Sequence, residues 1–186
     1  MRIATIIIDM QEDFFSHKRL KKNRRYLASK TNELAKLSRE KNVPVFWIRQ
    51  EYSSDLKDAP INVQKNNIRI VISGTPGADV LSELETQAID KNIIKKRYSA
   101  FYNTDLNEKL IEGKCTAVLV AGINSHACIR HTAIDAFQRD YEVLFASECI
   151  DSYDAEHHEI TMKYMNKQIG KSVTNDQFSK LMCERT

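Results

Sequence analysis

The chain has 186 residues, of which 42% are hydrophobic and 28% charged, and its formal net charge is +3. This composition excludes a disordered chain, and so small a charge gives no reason to expect a nucleic-acid partner. The densest basic run, from Lys18 to Arg25, contains no aromatic residue and is interpreted as a solvated loop and helix start.

The predicted elements alternate between apolar and amphipathic stretches. In chain order they are strand Ile3–Ile8, helix Asn23–Lys41, strand Pro44–Ile48, a weaker strand signal at Ile68–Ile72, helix Ala78–Glu85, strand Asn92–Lys95, helix Thr104–Ile111, strand Thr116–Ala121, helix Ser125–Arg139, strand Glu142–Ala146, helix Ala155–Lys167, a strand near Val173 and helix Asp176–Cys183. Nearly continuous apolar strands, each followed by a helix, are typical of a parallel sheet covered on both faces. With right-handed crossovers, we predict one doubly wound three-layer α/β/α domain over residues 1–186, with a Rossmann-like, mostly parallel six-stranded sheet.

The length of the apolar stretches and the spacing of the cysteines indicate whether the chain spans a membrane and in which compartment it lies. No stretch reaches the ~18 apolar residues of a membrane span, and the first residues lack the order of regions typical of a signal peptide. The four cysteines are scattered, without a C-x-x-C pair: Cys115, Cys128, Cys149 and Cys183. We therefore expect reduced thiols, a cytoplasmic location and no membrane partner.

Three chemically distinct side chains are predicted to meet at one edge of this sheet, because ligand sites lie beyond the carboxyl ends of parallel strands. Asp9 ends the first strand, Lys95 ends the strand before RYSAF, and Cys128 begins the helix after VLVAG. Each has a structural alternative: a capping carboxylate for Asp9, a surface charge for Lys95 and a small buried apolar side chain for Cys128.

The segments IIIDMQEDFF at 6–15, KKRYSAFYNTDL at 95–106 and VLVAGINSHACIRHTAIDAFQRDYEV at 118–143 carry a family resemblance. In this order and spacing they resemble the isochorismatase-like cysteine hydrolase superfamily, which includes nicotinamidases, N-carbamoylsarcosine amidase and ureide hydrolases. A further segment, SYDAEHHEITMKYM at 152–165, is similar to the isochorismatase branch.

The resemblance implies a catalytic triad of Asp9, Lys95 and Cys128, with Lys96 as the rival for the lysine. Beside an ammonium and at a helix start, the thiol is expected to lose its proton easily and attack a carbonyl carbon. Asp9 would shuttle the proton and Lys95 would offset the negative charge. The N–H groups of Asn124 and Cys128 would form the oxyanion hole.

Cys128 also bears on the choice between reactions. Many true isochorismatases have glycine at the matching position and hydrolyse an ether. A cysteine here favours cleavage of a C–N bond in a small amide, ureide or imide through a thioester. A vinyl ether hydrolase of the isochorismatase type and a non-catalytic small-molecule binder stay open as alternatives.

No metal or other cofactor is expected. Nicotinamidases carry a D-x-H element after the second strand, whereas here VFWI is followed by RQEY and no histidine occurs until His126. We predict that His126 lines the pocket together with Phe14, Tyr98 and Phe101, for which aromatic core packing is the alternative.

Three further implications concern the backbone, the substrate and assembly. Family members have a cis peptide one residue after the glycine of this motif, which maps to Ile123–Asn124. Arg49, Arg97 and Arg130 are unranked candidates for holding a substrate carboxylate. The family forms homodimers and larger oligomers, so the expected partners are a small-molecule substrate and further copies of this chain.

Overall fold

Six parallel strands form the central sheet in a computed structural model, which describes residues 1–184. They are β1 (Ile3–Ile8), β2 (Val45–Gln50), β3 (Lys91–Lys95), β4 (Ala117–Gly122), β5 (Glu142–Ile150) and β6 (Gly170–Val173). Their order is β3-β2-β1-β4-β5-β6, and every neighbouring pair is parallel. The winding reverses between β1 and β4, so the carboxyl ends of these strands flank the crevice of a doubly wound sheet.

Six α-helices cover the two faces of the sheet or connect its strands. They are α1 (Lys18–Glu40), α2 (Ile61–Lys65), α3 (Leu106–Glu112), α4 (Arg130–Phe137), α5 (Ala155–Gln168) and α6 (Asn175–Cys183). Leu34 of α1 and Phe178 of α6 belong to one buried apolar cluster. Leu110 of α3, Ala133 of α4 and Met165 of α5 belong to a second. The predicted three-layer α/β/α fold is confirmed.

The sequence of β1 explains why the sheet is buried on both sides. Alternate side chains of a strand point to opposite faces. Ile3 and Ile7 join the cluster under α1, whereas Ala4, Ile6 and Ile8 join the cluster under α4 and α5. A strand that needs apolar side chains on both faces has a continuous apolar sequence, as predicted.

Helix α1 begins at Lys18, five residues before its predicted start. Leu20 is completely buried, so the basic run forms the first turns of the helix and not a loop. Two of the three arginines in this run are paired within the chain, since Arg19 binds Asp151 and Arg24 binds two glutamates.

The segment between β2 and β3 differs most from expectation. The predicted strand at Ile68–Ile72 is wrong, since only an isolated bridge joins Ile72 to Tyr52. The apolar residues of this segment pack mainly on one another and form a third cluster: Tyr52, Leu56, Ala59, Val63, Val71, Ile72 and Ala78. The predicted helix at Ala78–Glu85 is also wrong. The chain is held there beside the end of β1, where Leu81 N–H donates to the Met10 carbonyl.

The chain after β4 is more irregular than the predicted helix Ser125–Arg139. The Ile123–Asn124 peptide is cis, and a π-helical turn over Ser125–Ile129 precedes α4. Strand β5 continues to Ile150, four residues beyond its predicted end. Within residues 1–184, no helix combines the length and the apolar character that a membrane span requires.

Gly122, the last residue of β4, generates a stability prediction. Its φ is +110°, and a Cβ there would lie 2.0 Å from the backbone oxygen of Ile8 in β1. Because this oxygen belongs to the paired strand, we expect Gly122→Ala to lower the free energy of unfolding by ~3 kcal/mol or more. At Gly74 the φ is also positive, +78°, but nothing lies within 4 Å of the added Cβ. Gly74→Ala should therefore cost only ~1–2 kcal/mol. Urea unfolding followed by circular dichroism measures both, and equal losses would contradict the prediction.

Candidate active site

Asp9 and Lys95 form a buried ion pair at the carboxyl edge of the sheet. Asp9 follows β1 directly, and Lys95 is the last residue of β3. Their side chains are 1% and 0% exposed, and Lys95 Nζ lies 2.8 Å from Asp9 Oδ2. Strand β2 lies between β1 and β3, so the two side chains meet across its end.

The ammonium of Lys95 is enclosed by acceptors. Besides pairing with Asp9, it donates to Gln50 Oε1 at 2.7 Å, to the Arg97 carbonyl at 3.2 Å and to Cys128 Sγ at 3.5 Å. A buried ammonium without such partners would cost several kcal/mol, and here its charge and its donors are both matched.

Lys96, the rival lysine, lies at the surface. Its ammonium pairs with Asp58 at 2.8 Å, and its side chain is 39% exposed. Successive side chains along an extended chain point in opposite directions, so only one of the two lysines can face Asp9. The structure brings Lys95 into the cluster.

Gln11 joins the ends of β1 and β2 and was not singled out by sequence reasoning. Its amide nitrogen donates to the carbonyls of Gln50 and Ala78, and its amide oxygen accepts the Gln50 N–H at 2.8 Å. Gln11 is completely buried. The signal available was its position two residues after Asp9 in D-x-Q, but a neutral amide gives no charge clue.

Cys128 lies in the π-helical turn after β4, with its side chain 5% exposed. The turn is fixed by bonds to the chain beyond β5: Ser125 N–H donates to the Asp151 carbonyl, and Asn124 Oδ1 accepts the Tyr153 N–H. Within residues 1–184 the Asn124 N–H has no acceptor of its own.

The three ionisable groups alter one another's pKa. Burial raises the pKa of Asp9, although Lys95 opposes this. Burial and the charge of Asp9 raise the pKa of the Cys128 thiol. Burial alone would lower the pKa of Lys95, but its interactions with the Asp9 carboxylate and the Cys128 sulfur outweigh burial and raise that pKa. The expectation of an easily ionised thiol is therefore wrong. The cluster keeps Lys95 charged and retains the thiol proton while Asp9 is ionised.

A cavity of about 580 Å³ lies in front of Cys128. Phe14, Tyr98, Asn124 and His126 line it. His126 is held in place by Ser152, whose Oγ lies 2.7 Å from the imidazole Nδ1, and by an edge contact with Tyr153. Tyr52 and Tyr153, which sequence reasoning missed, contribute two further rings to the lining.

Phe101 is the exception among the predicted pocket residues. Its ring is buried in the core, stacked on Tyr141, and the guanidinium of Arg139 lies over it. The prediction that Phe101 lines the pocket is wrong, and the core-packing alternative describes it. Among residues 1–184, no three His, Cys, Asp or Glu side chains are grouped so that they could hold a metal ion.

The sequence and the fold match known proteins over most of the chain. Residues 4–177 match the family model of the isochorismatase domain. A probable inactive nicotinamidase from Arabidopsis thaliana is 30% identical over 145 residues, which cover 74% of each chain. A cysteine hydrolase from Pseudomonas syringae pv. phaseolicola shares the fold with a TM-score of 0.91 at 22% identity, covering 100% of this chain and 94% of that one. For N-carbamoylsarcosine amidase from Thermoplasma acidophilum the TM-score is 0.80 at 23% identity, covering 95% and 98%.

The cavity and the raised pKa of Cys128 predict how fast iodoacetamide modifies this thiol. We expect iodoacetamide to modify Cys128 before Cys115, because only Cys128 lines the cavity. The rate at Cys128 should rise with pH above neutrality, since little thiolate is present while the pKa is raised. Asp9→Asn removes a charge that raises this pKa, so it should speed labelling at pH 7 by about tenfold per unit of pKa.

Peptide mass mapping after brief labelling measures each thiol separately. Asp176→Asn, which removes a carboxylate from the surface of α6, is the matched control and should label like the wild type. Slower labelling in Asp9→Asn than in the wild type would contradict the effect assigned to Asp9.

Proposed function

This chain belongs to the isochorismatase family, and on that premise we propose that it cleaves a C–N bond in a small amide, ureide or imide through a thioester on Cys128. The family is hydrolytic, so the proposal concerns the bond and the residues. The observation that carries it is the buried cluster in which Lys95 lies 2.8 Å from Asp9 and 3.5 Å from Cys128. A buried ion pair rarely stabilises a fold, and perturbed pKa values in a cleft are typical of catalytic groups.

The first half of the reaction forms the thioester. Cys128 Sγ donates an electron pair to the substrate carbonyl carbon while its proton passes to Asp9. Burial raises the pKa of Asp9, so this carboxylate is a stronger base than an exposed one. The C–N bond then breaks, and Asp9 gives the proton to the leaving nitrogen.

The second half restores the enzyme. Asp9 takes a proton from water as the water oxygen attacks the thioester carbonyl, and the departing thiolate of Cys128 recovers its proton from Asp9. Lys95 stays protonated throughout, because the neighbouring negative charges raise its pKa. Its role is to balance the single negative charge that moves between Asp9 and Cys128.

The oxyanion formed during both attacks needs hydrogen-bond donors. We assign this role to the N–H groups of Asn124 and Cys128, at the entry to the π-helical turn. The support is that Asn124 N–H has no acceptor within residues 1–184 and that bonds to Asp151 and Tyr153 fix this turn.

A non-catalytic binder is the second candidate, because one relative is a probable inactive nicotinamidase. The cluster of Asp9, Lys95 and Cys128 favours the hydrolase, since a binder gains nothing from a buried ammonium beside a carboxylate and a thiol. Hydrolysis of a vinyl ether is less favoured, because that reaction has no use for the thiol.

We expect the protein to release ammonia or an amine in a screen of amides, ureides and carbamoyl amino acids. On a substrate so found, Asp9→Asn and Cys128→Ser should each lower kcat at least ~100-fold, because proton transfer and the nucleophile are lost. Lys95→Met should lose activity, whereas Lys96→Met is the matched control and should retain it. Turnover should survive a chelator. Asp9→Asn activity within about tenfold of the wild type would remove Asp9 from the mechanism.

We also propose a cytoplasmic location and a homodimer or larger homo-oligomer. Three buried cysteines, Cys115, Cys128 and Cys149, are thiols, as is usual in a reducing compartment. Helix α5 exposes large apolar side chains one turn apart, Ile160 at 60% and Tyr164 at 48%. Such a face suits contact with a second copy.

Light scattering tests the assembly. We expect a mass at least twice the 21.5 kDa of the chain, reduced towards one chain by Ile160→Glu because the charge would be buried at the interface. Ile89→Glu is the control, since Ile89 is 80% exposed and lies outside α5. A monomeric wild type would contradict the proposal.

A further inference from the structure

The cavity in front of Cys128 has mainly apolar walls and no cationic side chain of lysine or arginine within residues 1–184. Four aromatic rings and several aliphatic side chains line it, and the only carboxylate among the lining residues is that of Asp13. The carboxylate of Asp13 is held against the chain, because its Oδ2 accepts the Val71 N–H at 2.6 Å and both of its oxygens lie beside Gly77. A ligand in this cavity therefore meets mainly rings, aliphatic side chains and amides.

The arginines nearest in sequence to the site are engaged elsewhere. Arg97 donates to two backbone carbonyls and lines a neighbouring cavity. Arg49 binds Glu51, and Arg130 lies over the ring of Tyr164. None of the three lines the cavity at Cys128, so the expectation that one holds a substrate carboxylate has no support in the geometry.

Arg69 does not line the cavity and donates to the Ser54 carbonyl. The basic groups at the site itself do not supply a free positive charge either. Lys95 is 0% exposed, and Asp9 matches its charge. The Nδ1 of His17 is engaged at the start of α1, where it accepts the Arg19 N–H. Burial and the proximity of His157 lower the pKa of His126, which keeps that ring neutral at pH 7.

We infer that the site selects an electrically neutral amide, ureide or imide with an apolar or aromatic body, and that it disfavours substrates carrying a carboxylate. This inference rests on the proposed function, whose substrate it narrows. An entering carboxylate would lose its hydration without gaining a cationic partner, and this loss opposes its binding. The cavity volume of about 580 Å³ falls within the usual range for small ligands.

The reaction itself changes the charge of the bound molecule. Hydrolysis of a neutral amide consumes one water and yields an acid and an amine, which at neutral pH are a carboxylate and an ammonium. The acid product therefore acquires the charge that the cavity disfavours. The same walls that admit the substrate favour release of the product.

A matched pair of alkylating agents tests this charge preference without knowledge of the substrate. Iodoacetamide is a neutral primary amide, and iodoacetate is of similar size but carries a carboxylate. The rate ratio of the two reagents at Cys128, divided by their ratio with free 2-mercaptoethanol, should be at least ~10 in favour of iodoacetamide, because the carboxylate of iodoacetate would lose its hydration without gaining a cationic partner. A corrected ratio of one or below would overturn the inference.

Two variants place the same charge in different positions. Ile68→Arg adds a cation to the cavity wall at a residue that is 41% exposed, and it should lower the corrected ratio at least threefold. Ile111→Arg adds one on α3, where Ile111 is 62% exposed, and should leave the ratio unchanged. An equal effect of both variants would overturn the role given to the cavity wall.

The amide screen separates this inference from the function on which it rests. Turnover of neutral amides with a high ratio supports both. Preferential turnover of carbamoyl amino acids would overturn the charge preference and leave the hydrolase standing. A high ratio at Cys128 without turnover of any amide, ureide or imide would overturn the proposed function, while the preference of the cavity for neutral molecules would stand.

Discussion

Lys95 holds an ammonium where water does not reach, and the carboxylate of Asp9 is what makes that position tolerable. Neither charge would be stable there alone. The two meet because the sheet places the ends of β1 and β3 at the same edge. Strands β1, β2 and β3 are parallel neighbours, so they end at the same edge, and Gln50 at the end of β2 accepts a hydrogen bond from the Lys95 ammonium. The third member, Cys128, follows β4, which lies on the other side of β1. It is close enough to Asp9 and Lys95 for both to affect the pKa of its thiol.

The sequence indicated the centre of the sheet because β1, β2 and β4 are buried on both faces. A continuous apolar run such as ATIII or VLVA has few other places in a folded chain. The segment between β2 and β3 has no such pattern. Tyr52, Val63 and Val71 belong to one cluster, but their spacings match neither a strand nor a helix period. The helix expected from Ala78 was lost to backbone bonds with the end of β1, which no local pattern reveals.

The candidate site was predictable where the topology alone determines it. The rule that strand ends converge selected Asp9, Lys95 and Cys128 as candidates, and the family resemblance assigned them to a triad. Side-chain direction after a turn does not follow, and so Phe101 was placed in the pocket although its ring packs in the core. The direction of the thiol pKa was also missed, because it depends on how completely Cys128 is buried beside Asp9 and not on its place at a helix start.

The third apolar cluster, between β2 and β3, contains residues that line the cavity but does not contain the ion pair. Tyr52 and Val63 belong to it and also face the cavity, whereas the ion pair of Asp9 and Lys95 lies on the sheet edge. Part of the cavity wall thus has its own packing, apart from the residues proposed to break the bond. Hydrogen bonds attach this cluster to the strand ends, from Gln11 to the Ala78 carbonyl and from Gln50 to the Tyr52 hydroxyl. A substitution in the cluster that keeps both bonds would reshape the cavity wall and leave the ion pair in place.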